Sequence, residues 1–517
     1  LKEPILPPKS RLDKIIEWAS PTRAAKRSRA RLLTKFLDAY TGASKSRRSM
    51  KVWDYLGGDA DSDILPDLPD LRKRSRDLEQ NDAIASGAIK TKTTNVVGPG
   101  FSLHSRINRD VLGMSEEQAD AWESKTEQEW RLFFDSKDVD ITRTCDGAAL
   151  TSMMYERMNV DGDSLALVPK VAVVGSPYKT RVQIVEADRL SNPDSKADTP
   201  TLAGGVEVDA NGAPKTYHIA KSHPGSMVDP KLEWDHIRAF GAKTGLRNVI
   251  HLYKKKRPGQ SRGVPDLHAV IEPLKMITRY SDAELMAAVV SGMFTVFIET
   301  PSGDPSLDFS NLSDETGQKA SDKDYKLANG AIVGLAKGEK IHDSNPGRPN
   351  QNFDQFFQSI VKQVGMSLEI PYEILMKHFV ASYSASRAAM LEFWRFVVRE
   401  RKLIVDNFLK VLYEIWMHEA VAIGRISAPG FFNDPLVKKA YLGCEFRGTA
   451  KGHLDDEKEV NAAAARVKNK FSTVSQETAE LTGGDWEKNH KQQVKERAAQ
   501  LKDGLIVEEM TDNGIEE

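Results

Sequence analysis

Cysteine is nearly absent: Cys145 and Cys444 are the only two in 517 residues. So few thiols build no disulfide framework and no cysteine-rich zinc site, and they suit a reducing compartment. Long apolar runs are missing as well. The longest uncharged one covers residues 285–298, short of the about 20 residues that a membrane-crossing helix needs. It reads as a buried helix or strand, and no membrane partner is expected. The opening LKEPILPPKS has no apolar centre, so no secretory signal is expected in it. Nor does one sign of charge dominate. Lys and Arg number 73 and Asp and Glu 74, a net charge of −1, which argues against a chain-wide polycation for gripping nucleic acid.

Catalytic motifs are missing in the same way. The nearest fragment to a nucleotide-binding loop, Gly241-Ala242-Lys243-Thr244, lacks the Gly before Lys and the upstream Gly that cradle phosphates. There is no HExxH, EF-hand loop or GxSxG nucleophile elbow. His218 and His223 flank a predicted strand end, but no further ligands accompany them, so no metal site is expected. No carboxylate pair stands in a motif that would separate two pKa values. Aromatic residues do not alternate with basic ones as a base-stacking platform requires. The sequence therefore predicts neither catalysis nor a cofactor.

What is present suits a large folded chain. Hydrophobic residues make up 40% and charged residues 28%, enough for several domains with a sizeable core. Charge is segregated near the start. Residues 1–51 hold 14 Lys/Arg and 4 Asp/Glu, whereas residues 52–71 hold 6 Asp and no base. The first 50 residues read as a basic arm, either touching phosphate or an acidic neighbour or simply solvated.

Periodicity predicts helices over 76–94, 116–134 and 146–158. Short Val-, Ile- and Tyr-rich runs at 164–174, 181–187, 205–209, 215–220 and 247–253 predict an antiparallel or mixed sheet. Asp209-Ala-Asn211-Gly212 reads as a hairpin turn with positive φ at both central positions. A basic string follows: Lys254, Lys255, Lys256, Arg257, then Pro258-Gly259-Gln260-Ser261-Arg262-Gly263. Pro and Gly keep it from being helical. It is either a loop touching phosphate or a neighbouring subunit, or a plain exposed loop.

Leu267, Val270, Ile271, Leu274 and Ile277 recur at helical spacing in a helix extending to about 294. Strands are predicted at 294–299 and 331–336 around a polar insertion, 301–330. Phe353, Phe356, Phe357, Ile360, Val361, Val364 and Leu368 form one apolar stripe of a helix over 353–370, ended or bent by Pro371. The small-residue segment 378–387 then leads into a helix over 388–417, about 45 Å long at 1.5 Å per residue. Its stripe is Trp394, Val397, Val398, Val405, Phe408, Leu412 and Trp416. Helices at 453–470, 475–482 and 485–502 finish an α+β, mainly helical chain.

Five strings, in order over most of the chain, carry a resemblance. They are Leu71-Arg72-Lys73-Arg74-Ser75-Arg76-Asp77-Leu78 with Asn81; Thr94-Asn95-Val96-Val97-Gly98-Pro99-Gly100; Arg257-Pro258-Gly259-Gln260-Ser261-Arg262-Gly263-Val264-Pro265, followed by a helix with Tyr280, Asp282, Ala283, Glu284 and Leu285; Pro371-Tyr372-Glu373; and Tyr383-Ser384-Ala385-Ser386-Arg387. Together they resemble the lambda-type phage portal proteins. Residues 444–456 depart from the family pattern.

The resemblance implies a portal fold assembled as a ring, usually a dodecamer, at one capsid vertex of the virion, made in the host cytoplasm. Double-stranded DNA passes along its axial channel in packaging and ejection. The implied partners are the large terminase subunit, then head-completion or tail-adaptor proteins, with the major capsid and scaffold proteins at procapsid assembly. Mapped onto this chain, 1–50 is the basic arm and 51–265 the wing. Helices 266–294 and 353–375 are the paired stem and 295–352 the clip between them. Residues 376–387 are the tunnel loop, 388–418 the long wing helix, and 419–517 the C-terminal wing and crown. A channel that gripped DNA would stall it, so Lys377, His378, Ser382 and Ser384 are expected to meet the phosphate backbone weakly. The rival readings are a packaging ATPase or nuclease, and a structural capsid or scaffold component without a DNA channel.

Overall fold

The computed structural model describes residues 20–22, 26, 57–227, 232–292, 296–299, 332–335, 353–379, 382–452 and 455–505. Most of the expected basic arm and clip lies outside them. The chain divides into two units, Leu1–Asp59 and Ala60–Glu517, and the elements below all belong to the second.

Within that unit helices α1 (Ala60–Ile64), α2 (Leu68–Asn81) and α3 (Ala83–Val96) come first. The single helix expected over 76–94 is two, because Asp82 stands between them in extended conformation. Its carboxylate accepts from the backbone N–H of Ile84 and Ala85, capping α3. Strand β1 (Ser102–Ser105) and the short α4 (Arg109–Leu112) precede α5 (Glu116–Phe134). Ser115 and Gln118 form a reciprocal capping box at the start of α5. Helix α6 (Gly147–Asp161), capped by Asp146, follows.

The predicted sheet is two sheets. One is antiparallel, in the order β3 (Gln183–Val185), β2 (Asp163–Leu167), β8 (Val249–Tyr253). The other runs β4 (Leu202–Ala203), β5 (Val206–Val208), β6 (Pro214–Ala220), β7 (Trp234–Arg238). A small core of Leu165, Val185, Leu190, Val206, Tyr217, Ile219, Ala239 and Val249 joins them. At the β5–β6 hairpin only Gly212 takes positive φ (+79°). Asp209 accepts from the N–H of Asn211 and Ala213, so the side chain shapes a turn expected to need two left-handed residues.

Helix α7 (Ile271–Gly292) leads to β9 (Val296–Glu299), which pairs in parallel with β10 (Ile332–Leu335). Helix α8 (Phe353–Leu368) returns and stops before Pro371. Glu369 turns left-handed (φ +57°) and the Ile370 N–H donates to the Gly365 carbonyl at 2.9 Å. A Cβ on Gly365 would lie 2.6 Å from the Ile370 carbonyl oxygen, so the tight stop requires glycine there.

After the turn α9 (Tyr372–Leu375) comes α10 (Tyr383–Ile404), then a π-helical turn over Val405–Leu409 and α11 (Lys410–Ala422). The expected continuous helix thus begins before residue 388 and carries a π turn inside it. Helix α12 (Pro435–Tyr441), strand β11 (Cys444–Arg447) and helices α13 (Asp456–Lys468), α14 (Val474–Thr482) and α15 (Trp486–Lys502) are the last of the described elements. Strand β11 pairs antiparallel with β1. The large core centres on Trp130, whose ring lies 4.8 Å from Phe134, 5.2 Å from Trp416, 5.6 Å from Tyr413 and 5.9 Å from Phe446.

Candidate functional site

Three features bear on function: the α7–α8 hairpin, the segment that follows it, and a buried ion network at its foot. The hairpin is zipped by aromatic rings, with Tyr280 5.4 Å from Phe353 and 5.3 Å from Phe356. Leu274, Ile277, Val361, Val364 and Leu368 are buried. The helices nonetheless carry more apolar surface than the described chain covers. Met276, Leu285, Met286 and Val289 on α7, and Phe356 and Met366 on α8, are exposed. The run from residue 285 was expected to be buried; in the single chain its first helical turns face outward.

The segment 376–387 is not one loop. Lys377 (φ +53°), His378 and Phe379 are exposed. Ser382 is the N-cap of α10, accepting from the Ala385 N–H, and Ser384 sits in its first turn. The two hydroxyls are 3.2 Å apart. All four residues expected to meet DNA are therefore solvent-facing, but the two serines belong to a helix start.

The basic string 254–263 divides in two. Lys255 and Lys256 are exposed, and Arg257 pairs with Asp63 at 2.6 Å. Lys254 and Arg262 are not outward contacts, contrary to the expectation for the string. Arg262 is buried and donates to Asp163 through Nε at 2.5 Å, to the Leu190 and Gly204 carbonyls through Nη1, and to the Ala187 carbonyl through Nη2. Asp163 also accepts from Arg72 at 2.8 Å and lies 3.2 Å from His251 Nε2. Burial alone would raise the Asp163 carboxyl; the Arg262 and Arg72 guanidiniums overcome it and hold the group well below the usual carboxylate range. Burial pulls Arg72 down to about 10, which leaves it cationic at neutral pH.

Beside this network Lys254 reaches Asp266 at 2.7 Å and Glu400 at 2.8 Å, and Lys92 reaches Asp266 at 2.8 Å. Tyr155 donates to Glu400 at 3.1 Å. Burial would raise Asp266, yet Lys92 and Lys254 pull it strongly down. These groups clamp the foot of α7 to α3, α6 and α10. Gln260 closes the string: its side-chain oxygen accepts from the N–H of Lys256 and Arg257, and its amide donates to the Arg262 carbonyl. Ser261 donates twice to Asp61.

Sequence reasoning missed Asp163, Asp266 and Glu400: Asp163 lies 99 residues from Arg262, Glu400 lies 245 from Tyr155, and Asp266, although 12 residues from Lys254, lies 174 from Lys92. Among the described residues no group of three or more His, Cys, Asp or Glu could hold a metal ion. His218 instead faces His236 across β6 and β7, Nδ1 to Nδ1 at 2.5 Å. No helix of the described residues is long and apolar enough to cross a membrane.

The chain is similar to known proteins. Residues 46–401 match the family described as phage portal protein, lambda family. Portal protein B of Escherichia phage lambda is 26% identical over 499 residues, covering 91% of this chain and 92% of its own. The portal protein of Escherichia phage N15 is 24% identical over 503 residues, covering 92% of each. Among solved structures, a chain from the neck of an empty gene transfer agent particle is similar at 13% identity, with a TM-score of 0.42, over 85% of this chain and 99% of that one. The family match spans well over half of the sequence, and on that ground the chain belongs to the lambda family of phage portal proteins.

Proposed function

We propose that this chain closes head to tail into a ring, with the twelve subunits usual in the family, and forms the conduit for double-stranded DNA in packaging and ejection. The ring would sit at the unique vertex of the virion after synthesis in the host cytoplasm. It would start procapsid assembly with major capsid and scaffold proteins, dock the large terminase subunit, and later hold head-completion or tail-adaptor proteins. In this reading residues 51–265 are the wing, 266–294 and 353–375 the stem, 295–352 the clip, 376–387 the DNA-facing tunnel segment, 388–418 the long wing helix and 419–517 the C-terminal wing and crown. The ring's role is structural, with the ATPase supplied by the terminase.

The observation that carries the proposal is the set of large apolar side chains that the α7–α8 hairpin leaves uncovered. Six large apolar side chains, Met276, Leu285, Met286, Val289, Phe356 and Met366, stand in water on a pair of amphipathic helices. Burying one such side chain contributes about 1.5–3 kcal/mol. A ring covers such side chains with the neighbouring copies through a heterologous contact that closes on itself. DNA contact inside such a ring must be weak, because symmetry multiplies every phosphate neutralised. Exposed Lys377, followed a few residues on by the Ser382 and Ser384 hydroxyls, supplies little charge per subunit.

Electron-microscope class averages of the purified protein test the reading. A closed ring with an open axial hole is expected, and Met286→Glu should release subunits while leaving their fold intact. Monomers at high concentration, filaments or icosahedral shells would overturn it; shells would favour the capsid-component alternative.

A further inference from the structure

Among the described residues, helix α15 is held to the body only at its start. Asp485 caps it by accepting from the Glu487 N–H. Lys488 pairs with Glu127 at 2.6 Å, and Arg106 lies 3.6 Å from Glu487. Beyond that turn the helix stands free: every residue from 488 to 500 is exposed and none in the helix is buried. At 1.5 Å per residue this exposed stretch is about 20 Å long.

Its two sides differ. At 3.6 residues per turn Lys488, Lys491, Lys495 and Lys502 fall within an arc of about 60°. Glu487 and Glu496 lie off that arc. Trp486, His490, Val494 and Leu501 occupy the opposite side, with the Trp486 and His490 rings stacked at 5.2 Å. Lys488 is engaged by Glu127, whereas Lys491, Lys495 and Lys502 have no ion-pair partner among the described residues. In a chain whose net charge is −1, three unpaired lysines on one exposed stripe form a local cationic ridge.

We propose that this ridge, Lys491, Lys495 and Lys502 of α15, is a second, sequence-independent contact for double-stranded DNA, separate from the channel wall. The proposal rests on the conduit reading, which brings DNA to the ring. Charge complementarity identifies the partner. Lysines are flexible point charges that suit phosphates and read no base. The arc carries no large apolar side chain, so it lacks the apolar centre of a protein–protein interface. A duplex requires only phosphates, and every subunit presents the same three cations.

Binding of the full-length ring to a short blunt duplex of mixed sequence, followed by fluorescence anisotropy from 50 to 200 mM salt, tests this. Each neutralised phosphate contributes about −0.9 to the slope of log affinity against log salt. The triple variant Lys491→Gln, Lys495→Gln, Lys502→Gln should therefore flatten the slope by about 2.7 per engaged subunit, or about 40-fold in affinity across that salt range. The corresponding triple Lys→Arg variant should restore both affinity and slope. A Gln variant with wild-type affinity and slope overturns the proposal, as does an Arg variant that fails to rescue. If the Gln variant loses a polyglutamate probe but keeps the duplex, the partner is an acidic protein and the DNA assignment fails. In each of these results a ring with an open bore leaves the conduit reading standing. Absence of a ring overturns the conduit itself.

Discussion

Replacing Asp163 with alanine would strand two buried guanidiniums at once. Arg72 and Arg262 both point their charge at this carboxylate, whose side chain has no solvent exposure. Removing one partner of a buried ion pair costs about 3–5 kcal/mol. The lower end applies here, because Arg262 keeps its bonds to the Leu190, Gly204 and Ala187 carbonyls and Arg72 keeps the Asp161 carbonyl. A loss of about 3 kcal/mol should lower the thermal midpoint by roughly 3 °C, read by thermal shift at pH 7. The acid limb supplies the control. The folded carboxyl is held well below its ordinary value, so its contribution is complete above the unfolded pKa of about 3.9 and fades as pH falls toward the folded one. The gap between wild type and Asp163→Asn should be constant from pH 7 to about 5 and close below about 4. An unchanged midpoint for Asp163→Ala, or a gap that persists undiminished to pH 3, would refute the reasoning.

Three further outcomes are expected. Gly263→Ala places a methyl 1.9 Å from the Gly162 carbonyl oxygen and 2.8 Å from Tyr253 Cβ; backbone must move, and soluble yield should collapse. Asp82→Ala removes the cap of α3 and the bond that the Asp82 carboxylate accepts from Thr278 of α7, costing about 1 kcal/mol as a modest drop in thermal midpoint with ring assembly unaffected. Lys377→Gln should change DNA retention or packaging without altering ring formation, and normal packaging and retention in that variant would remove Lys377 from the DNA path.

Much of the helical framework is legible in the sequence because its apolar period is strong. Phe353 to Leu368 and the helix over 116–134 emerge almost to the residue, since a stripe of large side chains leaves few alternative faces to bury. The break at Asp82 is less visible, because an acid between two helices reads equally as a surface position until its bonds to the Ile84 and Ala85 N–H groups are seen. Strand β7 was missed: Trp234, Asp235, His236, Ile237 and Arg238 show no clean alternation, and the strand exists through its pairing with β6. Residues 168–174, expected as strand, fall beyond the β2–β8 register, which ends at Leu167. The candidate DNA-facing residues could be placed only as far as a segment between two helices. The buried network was illegible for a different reason. Arginine and lysine in a Pro/Gly-rich string look like solvent-facing charge, and Asp163 lies 99 residues from Arg262.

That network changes what the most recognisable strings of this chain mean. Arg72, from the first string, and Arg262, from the third, converge on one carboxylate. Two of the letters by which kinship is spotted are thus rivets of the architecture. A survey that scores lost packaging after changing Arg262 would be measuring a broken chassis, and only residues outside these rivets can report on the passage of nucleic acid.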